Sequence, residues 1–241
     1  AQIDKPNLHF NTKLYTGTGS SNSITGVGFN PDLVWIKDRG TNYSHTLTDK
    51  VRGTSKELYT NGTAAETVYS QGVTAFNSDG FTLGTDAGIN SSGGNKVSWN
   101  WKAGGSGSTN SDGNVDSTVS VNQTAGFSIV KWNGTTNNKT IGHGLGVVPE
   151  IIIAKNTGGS GTNWVVWHKD LSSGYFLKLN LTAAQDNANS YFTADPTNSI
   201  LSLTGNTAFN SSGNGMIAYC FASKTGYSKF GQYTANAAVD G

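Results

Sequence analysis

The chain contains Gly26-Val27-Gly28-Phe29-Asn30-Pro31-Asp32-Leu33-Val34-Trp35-Ile36-Lys37 and, later, Gly144-Leu145-Gly146-Val147-Val148-Pro149-Glu150-Ile151-Ile152-Ile153-Ala154-Lys155. In both places a glycine-rich turn leads through proline into an apolar run that ends in lysine. A second motif, Asn90-Ser91-Ser92-Gly93, returns as Asn210-Ser211-Ser212-Gly213. The two pairs of segments are 118 and 120 positions apart (149 minus 31 and 210 minus 90). The chain is therefore an internal duplication with small insertions.

A repeat of this length is large enough to close a core of its own and is far longer than a solenoid repeat. We expect the first unit to occupy residues 1–107 and the second to occupy residues 108–225. The segment 226–241 is interpreted as the start of a third repeat or a C-terminal extension, because Lys13-Leu14-Tyr15-Thr16-Gly17 has a weak counterpart at Phe230-Gly231-Gln232-Tyr233-Thr234. On that interpretation, we expect the chain to be part of a longer polypeptide.

Composition favours strands over helices. Only 13% of the 241 residues are charged, and 32 are glycine. Val97, Trp99 and Trp101 alternate with polar residues, which predicts a strand with one wet face carrying Ser98 and Asn100. Leu33–Ile36 and Glu150–Ala154 are apolar on both phases, as in central strands covered on both sides. The boundary between the units is placed near Gly107, in a stretch rich in glycine and serine.

The fold class predicted is all-β, with two tandem β-sandwich or jelly-roll units. The alternative is one large concanavalin-like sandwich in which both repeats contribute to a single core. Helix is expected for about one turn at Thr63–Glu66 and at Thr182–Gln185.

Charge and cysteine content exclude several classes of protein. The net charge of +1 arises from scattered residues, so we expect no nucleic-acid partner and no membrane insertion. The chain has no stretch of 18 apolar residues and does not begin with a signal-peptide pattern, so synthesis in a cytoplasm is expected. The single cysteine, Cys220, alternates with aromatic residues and is predicted to be a small buried hydrophobe.

We find no pattern that predicts catalysis or a cofactor. The four histidines are far apart, a Gly-x-Ser-x-Gly elbow is absent, and no pair of acids lies in an apolar strand. Asp112, Asn114 and Asp116 have oxygens suited to calcium, but a solvated turn is the favoured interpretation. His143 lies in a glycine-rich turn, where it is either exposed or, as we favour, incidental. The expectation is a non-enzymatic protein without metal or cofactor.

Comparison of the repeats sorts the aromatic residues. Trp99 corresponds to Tyr219, Trp101 to Phe221 and Trp35 to Ile153, so these positions are assigned to packing. Trp164 and Trp167 have no aromatic equivalents at their own positions. The tentative glycan-binding residues are Trp164, Trp167 and His168, with Tyr43 and His45 in the matching stretch of the first repeat. The alternative, favoured here, is that the two tryptophans pack inward.

Five motifs resemble a family of repeated domains in virion proteins of marine bacteriophages, including cyanophages. They are residues 26–37, 49–53 (Asp-Lys-Val-Arg-Gly), 78–84 (Ser-Asp-Gly-Phe-Thr-Leu-Gly), 99–105 (Trp-Asn-Trp-Lys-Ala-Gly-Gly) and 141–146 (Ile-Gly-His-Gly-Leu-Gly). The resemblance runs over almost the whole chain. It implies lectin-like β-sandwich domains on a virion surface.

The function expected from this resemblance is a tail fibre or appendage that mediates adsorption to host-surface glycans. The alternative is a capsid or tail decoration (cement) protein that binds other virion proteins. The implied partners are therefore other virion proteins and a host cell-surface polysaccharide or protein, with a homotrimer as the expected assembly of a fibre. A depolymerase is disfavoured because paired acids are missing.

Overall fold

The computed structural model describes residues 3–187 and 191–236, and this part of the chain is almost entirely β. Strands account for 40% of the structure and helices for 4%. The predicted all-β sandwich fold is confirmed. Neither α-helix in the described residues is long and apolar enough to span a membrane.

The first repeat begins with a 3-10 turn at Pro6–Leu8 and contains the helix α1 (Ala87–Asn90). Its strands are β1 (Phe10–Thr16), β2 (Asn22–Ile24), β3 (Leu33–Asp38), β4 (Thr46–Asp49), β5 (Lys56–Tyr59), β6 (Thr67–Val68), β7 (Val73–Asn77), β8 (Gly80–Leu83) and β9 (Asn95–Trp101).

The second repeat contains the helix α2 (Thr207–Asn210). Its strands are β10 (Ser108–Asn110), β11 (Ser117–Asn122), β12 (Phe127–Asn133), β13 (Lys139–Gly142), β14 (Ile151–Asn156), β15 (Val165–His168), β16 (Leu177–Lys178), β17 (Phe192–Ala194), β18 (Ile200–Leu203) and β19 (Gly215–Phe221).

The two repeats share the topology of their central strands. In the first, a large sheet of order β1-β9-β3-β4-β5-β6 lies beside a small sheet of order β2-β8-β7. In the second, the large sheet has the order β10-β11-β12-β19-β14-β15-β16 and the small sheet β13-β18-β17. Strands β1, β9, β3, β4 and β5 thus correspond to β12, β19, β14, β15 and β16. The duplication is confirmed by strand pairing, and β3 and β14 are the central strands that the sequence predicts.

The four sheets form layers around three cores. In the first repeat, alternate residues of β3 such as Val34 and Ile36 pack against Phe81 of the small sheet. In the second, Ile152 and Ala154 of β14 pack against Leu201 in the same way. Each repeat is therefore a sandwich with its own core.

A third core joins the two large sheets. Leu33 and Leu58 of the first repeat pack with Phe127, Trp164 and Tyr219 of the second. The structure therefore combines both architectures considered from the sequence, because two small sandwiches share a layer in which their large sheets face each other.

The prediction of a wet face on β9 is wrong. Ser98 and Asn100 are completely buried inside the first sandwich, while Trp99 and Trp101 on the other face are only partly buried. The two side chains are partners of each other: Asn100 Nδ2 donates hydrogen bonds to Asn11 O at 3.0 Å and to Ser98 Oγ at 3.1 Å, whereas Asn100 Oδ1 has no partner in the described structure. Lys102 lies beyond the strand and is exposed.

The predicted helical turns at Thr63–Glu66 and Thr182–Gln185 are also wrong, because both segments are irregular. The helices lie instead at the repeated Asn-Ser-Ser-Gly motifs and end at Asn90 and Asn210. Both asparagines are buried. Asn90 Oδ1 accepts a hydrogen bond from Thr18 N in the loop after β1, and Asn210 Oδ1 accepts one from Thr135 N in the loop after β12. The repeated motif is therefore a structural clamp.

After β9 the chain leaves the first large sheet, and it enters the second large sheet at β10, which begins at Ser108. The predicted third unit at 226–241 lies partly outside the described residues. Within the described part, Phe230 packs against Phe221 with ring centroids 5.9 Å apart.

Candidate functional site

A pair of partly exposed tryptophans lies on the large sheet of the first repeat. Trp35 of β3 and Trp99 of β9 lie directly opposite each other in the strand register, and their ring centroids are 5.9 Å apart. Both side chains point towards the second repeat, because their neighbours Val34 and Ser98 point into the first sandwich. We call the surface formed by Trp35, Trp99, Trp101, Lys37 and His45 the aromatic face.

The second repeat covers only one end of the aromatic face. Trp101 lies at the covered end and contacts Phe221, with ring centroids 6.3 Å apart. Towards the other end, Val97 and Lys37 are only partly buried, and Leu14 on the neighbouring strand is 61% exposed. The tryptophan pair therefore lies at the boundary between core and solvent.

Three depressions meet at Trp35. An open one of about 400 Å³ lies over the aromatic face itself. A cleft of about 300 Å³ runs between the large sheets, between Trp35 and Trp101 on one side and Phe221 on the other. A third, of about 270 Å³, lies between His45 and Leu179. A ligand on Trp35 thus has room on three sides.

The rim of the aromatic face is polar, and Lys37 is the charged side chain among the residues that form it. Lys37 Nζ donates hydrogen bonds to Asp38 O at 2.7 Å and Thr41 O at 3.0 Å, which engages two of its three N–H groups. Burial, together with the nearby Lys37, lowers the pKa of His45 below its usual 6.5, so the imidazole is neutral at pH 7. Asn61 accepts a hydrogen bond from His45 N at 2.9 Å. The rim is suited to hydrogen bonding with an uncharged ligand.

The equivalent face of the second repeat is closed. Ile217 and Tyr219 of β19, which match Val97 and Trp99, are 0% and 2% exposed. They pack beneath Leu47, Val51 and Leu58 of the first repeat. The large sheets are thus offset, and only the first repeat exposes this face.

The structure does not bring Trp164 and Trp167 together as a glycan site. Trp164 is completely buried in the shared core, where its Nε1 donates a hydrogen bond to Tyr59 O at 2.9 Å. Trp167 points the other way, into the core of the second sandwich. Residues three apart on a strand face opposite sides, so the two rings belong to different layers. The inward packing that the sequence favoured is confirmed for both.

The other candidate residues are dispersed. His168 is partly buried, and its Nδ1 accepts a hydrogen bond from Asp170 N at 3.2 Å. Tyr43 lies over the ammonium of Lys96, which is 5.3 Å from the ring centroid. Only His45 belongs to the aromatic face.

Sequence comparison had assigned Trp35 and Trp99 to packing because large apolar residues occupy the equivalent positions. The sequence does contain a difference that could have indicated the site: the first repeat has tryptophan at positions 35 and 99, where the second has Ile153 and Tyr219. The assignment holds for Tyr219, whereas its equivalent Trp99 is only partly covered.

The remaining polar candidates serve the fold. His143 is buried, not exposed, and hydrogen-bonds through Nε2 to Thr197 O at 3.1 Å. Asn114 Oδ1 accepts a hydrogen bond from Thr140 N, and Asp112 Oδ2 accepts one from Asn110 Nδ2. Among residues 3–187 and 191–236, no group of three or more His, Cys, Asp or Glu side chains is placed to hold a metal ion.

A buried ionic cluster lies at the other side of the shared core. Arg52 is 5% exposed, and its Nε donates to Asp49 Oδ2 at 2.5 Å while Nη1 contacts Glu66 Oε2 at 3.1 Å. Although burial alone would lower the pKa of Arg52, the negative charges of these partners outweigh it and raise the pKa further, so the guanidinium is permanently charged. Since every one of these groups has a partner, the cluster anchors the segment that covers the second repeat.

The geometry defines a duplicated all-β sandwich protein with an aromatic surface on one repeat. The chain belongs to the family described as a domain of unknown function (DUF7483), whose sequence profile matches residues 5–241. No curated protein and no solved structure matches the chain.

Proposed function

We propose that the chain is a non-enzymatic protein that binds a neutral sugar residue on the aromatic face. The observation that carries the proposal is the partly exposed pair Trp35 and Trp99 at the centre of a sheet. A tryptophan in this position removes little apolar surface from water unless something covers it. A bound ligand would supply that cover.

The chemistry of the face favours a carbohydrate over other ligands. One side of a pyranose ring is lined by C–H groups and stacks on an indole, while its hydroxyls need hydrogen-bonding partners nearby. His45 and Asn61 lie beside Trp35 and can supply such partners. Two of the three N–H groups of Lys37 are already bonded to backbone carbonyls, so its ammonium has one donor left for a ligand.

We further propose that the protein is displayed on a bacteriophage particle, on a tail fibre or appendage, where the face contacts host-surface glycans. The support is the resemblance of five motifs to virion proteins. The competing role is decoration of the capsid or tail, in which another virion protein would cover the same tryptophans.

The test is glycan-array binding of Trp35→Ala and Trp99→Ala variants, with folding checked by circular dichroism. We expect each substitution to abolish binding, while His168→Ala and Tyr233→Ala, which lie off the aromatic face, leave it unchanged. Retained binding in folded Trp35→Ala and Trp99→Ala proteins would contradict the site.

The location on the particle needs a separate measurement. Antibody labelling of intact virions in the electron microscope should place the protein on fibres. Capture of the protein on purified capsids, combined with no binding to any glycan, would support decoration instead.

A further inference from the structure

The two repeats differ at one edge of their large sheets. In the second repeat, β12 is covered on its outer side by β11, which pairs with it antiparallel from Asn122–Phe127 to Thr118–Lys131. In the first repeat, the equivalent strand β1 is the last of its sheet, and among the described residues 3–187 and 191–236 it pairs only with β9. The same edge is therefore closed in one repeat and open in the other.

The backbone groups on this open edge can be assigned. Lys102 N donates to His9 O and Gly17 N donates to Gly94 O, so odd-numbered residues of β1 face β9. The N–H groups of Phe10, Leu14 and Thr16 therefore point outward, as does that of Thr12, which is bonded to Asn11 Oδ1 at 2.9 Å.

The side chains on the edge are also uncovered. Leu14 is 61% exposed, whereas Lys131, at the equivalent position 117 residues later, is partly buried beside β11. Residues 3–9, which precede β1, do not cover the edge, because they form the 3-10 turn and its flanks. An exposed leucine on an open sheet edge favours association with other chains unless a partner strand covers the edge.

We propose that the outer edge of β1 receives an antiparallel strand of the β11 type, contributed by another repeat of the same family. The register follows from the second repeat: the residue equivalent to Thr118 lies opposite Leu14, and the one equivalent to Ser120 lies opposite Thr12. Such a strand is uncharged and alternates Val with Ser or Thr, as in Thr118-Val119-Ser120-Val121. Main-chain hydrogen bonds provide the attraction, and Leu14 is covered.

The test uses a fluorescent peptide of residues 115–122 and the full chain, with anisotropy as the readout. We expect saturable binding that Leu14→Pro weakens at least tenfold, because proline removes an outward donor and leaves the β9-facing groups intact. The matched control is Val68→Pro on the opposite edge. Its N–H also points outward, since Tyr69 N donates to Ser55 O, and it should not change binding.

A second pair of peptides keeps the test independent of the folding of the variants. On the wild-type chain, a peptide with Ser120→Pro should not bind, because that N–H faces the partner strand, whereas Val119→Pro should bind. Equal binding of both peptides, equal binding by the Leu14→Pro and Val68→Pro proteins, or no binding of the unmodified peptide would overturn the proposal.

Sedimentation velocity distinguishes the occupant from a second copy of the chain. We expect the protein without peptide to be monomeric through this edge. A dimer that Leu14→Pro dissociates would show that two β1 strands pair with each other, and would overturn the proposed occupant.

Discussion

Tyr219 Oη donates a hydrogen bond of 2.7 Å to Asp49 Oδ2, and this bond joins the second repeat to the first. Asp49 is completely buried and Tyr219 is 2% exposed. The same carboxylate oxygen accepts the bond from Arg52 Nε. Burial raises the pKa of Tyr219 well above its usual 10, so the phenol keeps the proton that it donates. A polar anchor thus fixes the register of two large sheets that are otherwise held by apolar packing.

Replacing Tyr219 by phenylalanine tests this anchor. The ring and its packing remain, but Asp49 loses a hydrogen bond in a buried site, so the free energy of unfolding should fall by about 1–3 kcal/mol. Urea denaturation measures the change, and Tyr233→Phe, at a position 91% exposed, is the matched control. Equal stability of the two variants would mean that the bond contributes nothing.

The buried ion pair between Lys96 and Asp38 can be exchanged for the residues of the second repeat. These two residues are paired across β9 and β3, and Met216 and Asn156 are paired in the same way across β19 and β14. Lys96→Met alone leaves a buried carboxylate without its partner, which should cost about 3–5 kcal/mol. The double variant with Asp38→Asn should recover most of that loss.

Chemical denaturation of the two single variants and the double variant forms a complete thermodynamic cycle. We expect a double variant close to wild type. Strictly additive losses would show that the first repeat has adapted around the charges and no longer accommodates the neutral pair.

Glu57 should make stability depend on pH. Burial, followed by the nearby Asp86, raises the pKa of its carboxyl from 4.5 to about 7, and Oε1 has no hydrogen-bond partner in the described structure. The folded chain therefore retains a proton that the unfolded chain releases, so this contribution is fully present below pH 4.5 and is lost as the pH rises to about 7.

Glu57→Gln should therefore flatten the decline in unfolding free energy between pH 4.5 and 8. Urea titrations at several pH values measure it, with Asp116→Asn at an exposed position as the control. An identical pH profile for Glu57→Gln and wild type would show that the carboxyl ionises normally in the fold.

Cys220 should be chemically inert in the native state. Its side chain is completely buried, and burial raises the pKa of the thiol to about 12. Reaction with a disulfide reagent then requires unfolding and should be slower by roughly a thousandfold or more than in denaturant. Rapid labelling of the native chain would indicate local opening of β19.

The sequence was sufficient to identify the duplication, the all-β class and the central strands, because repeated motifs and two-phase apolar runs reflect local backbone geometry. The short helices were missed because their determinant is a cap and an asparagine clamp, as at Asp86 and Asn90, and not a helical pattern. The polar side of β9 was placed in solvent because alternation does not reveal which face is buried. Lys96 and Ser98 have hydrogen-bond partners in their buried positions, and Asn100 has partners for its Nδ2 but none for its Oδ1.

The candidate site was not predictable from the sequence, because exposure at Trp35 depends on how one large sheet is offset against the other. No local pattern encodes that offset. His45 was a candidate because it lies in the stretch of the first repeat that matches Trp164 and Trp167, whereas Trp164 was proposed for the site although it is an internal contact between the repeats.

The offset between the large sheets has a consequence for arrays of such units. In the first repeat, the segment from Asp49 to Tyr59 covers the large sheet of the second repeat, whereas the aromatic face of the first repeat is covered at one end only. The contact between two units is therefore directional, because the covered large sheet of the second unit has no free surface for a third. We expect a longer tandem protein to consist of successive pairs of units, each pair with one open aromatic face, and not of equally spaced single units.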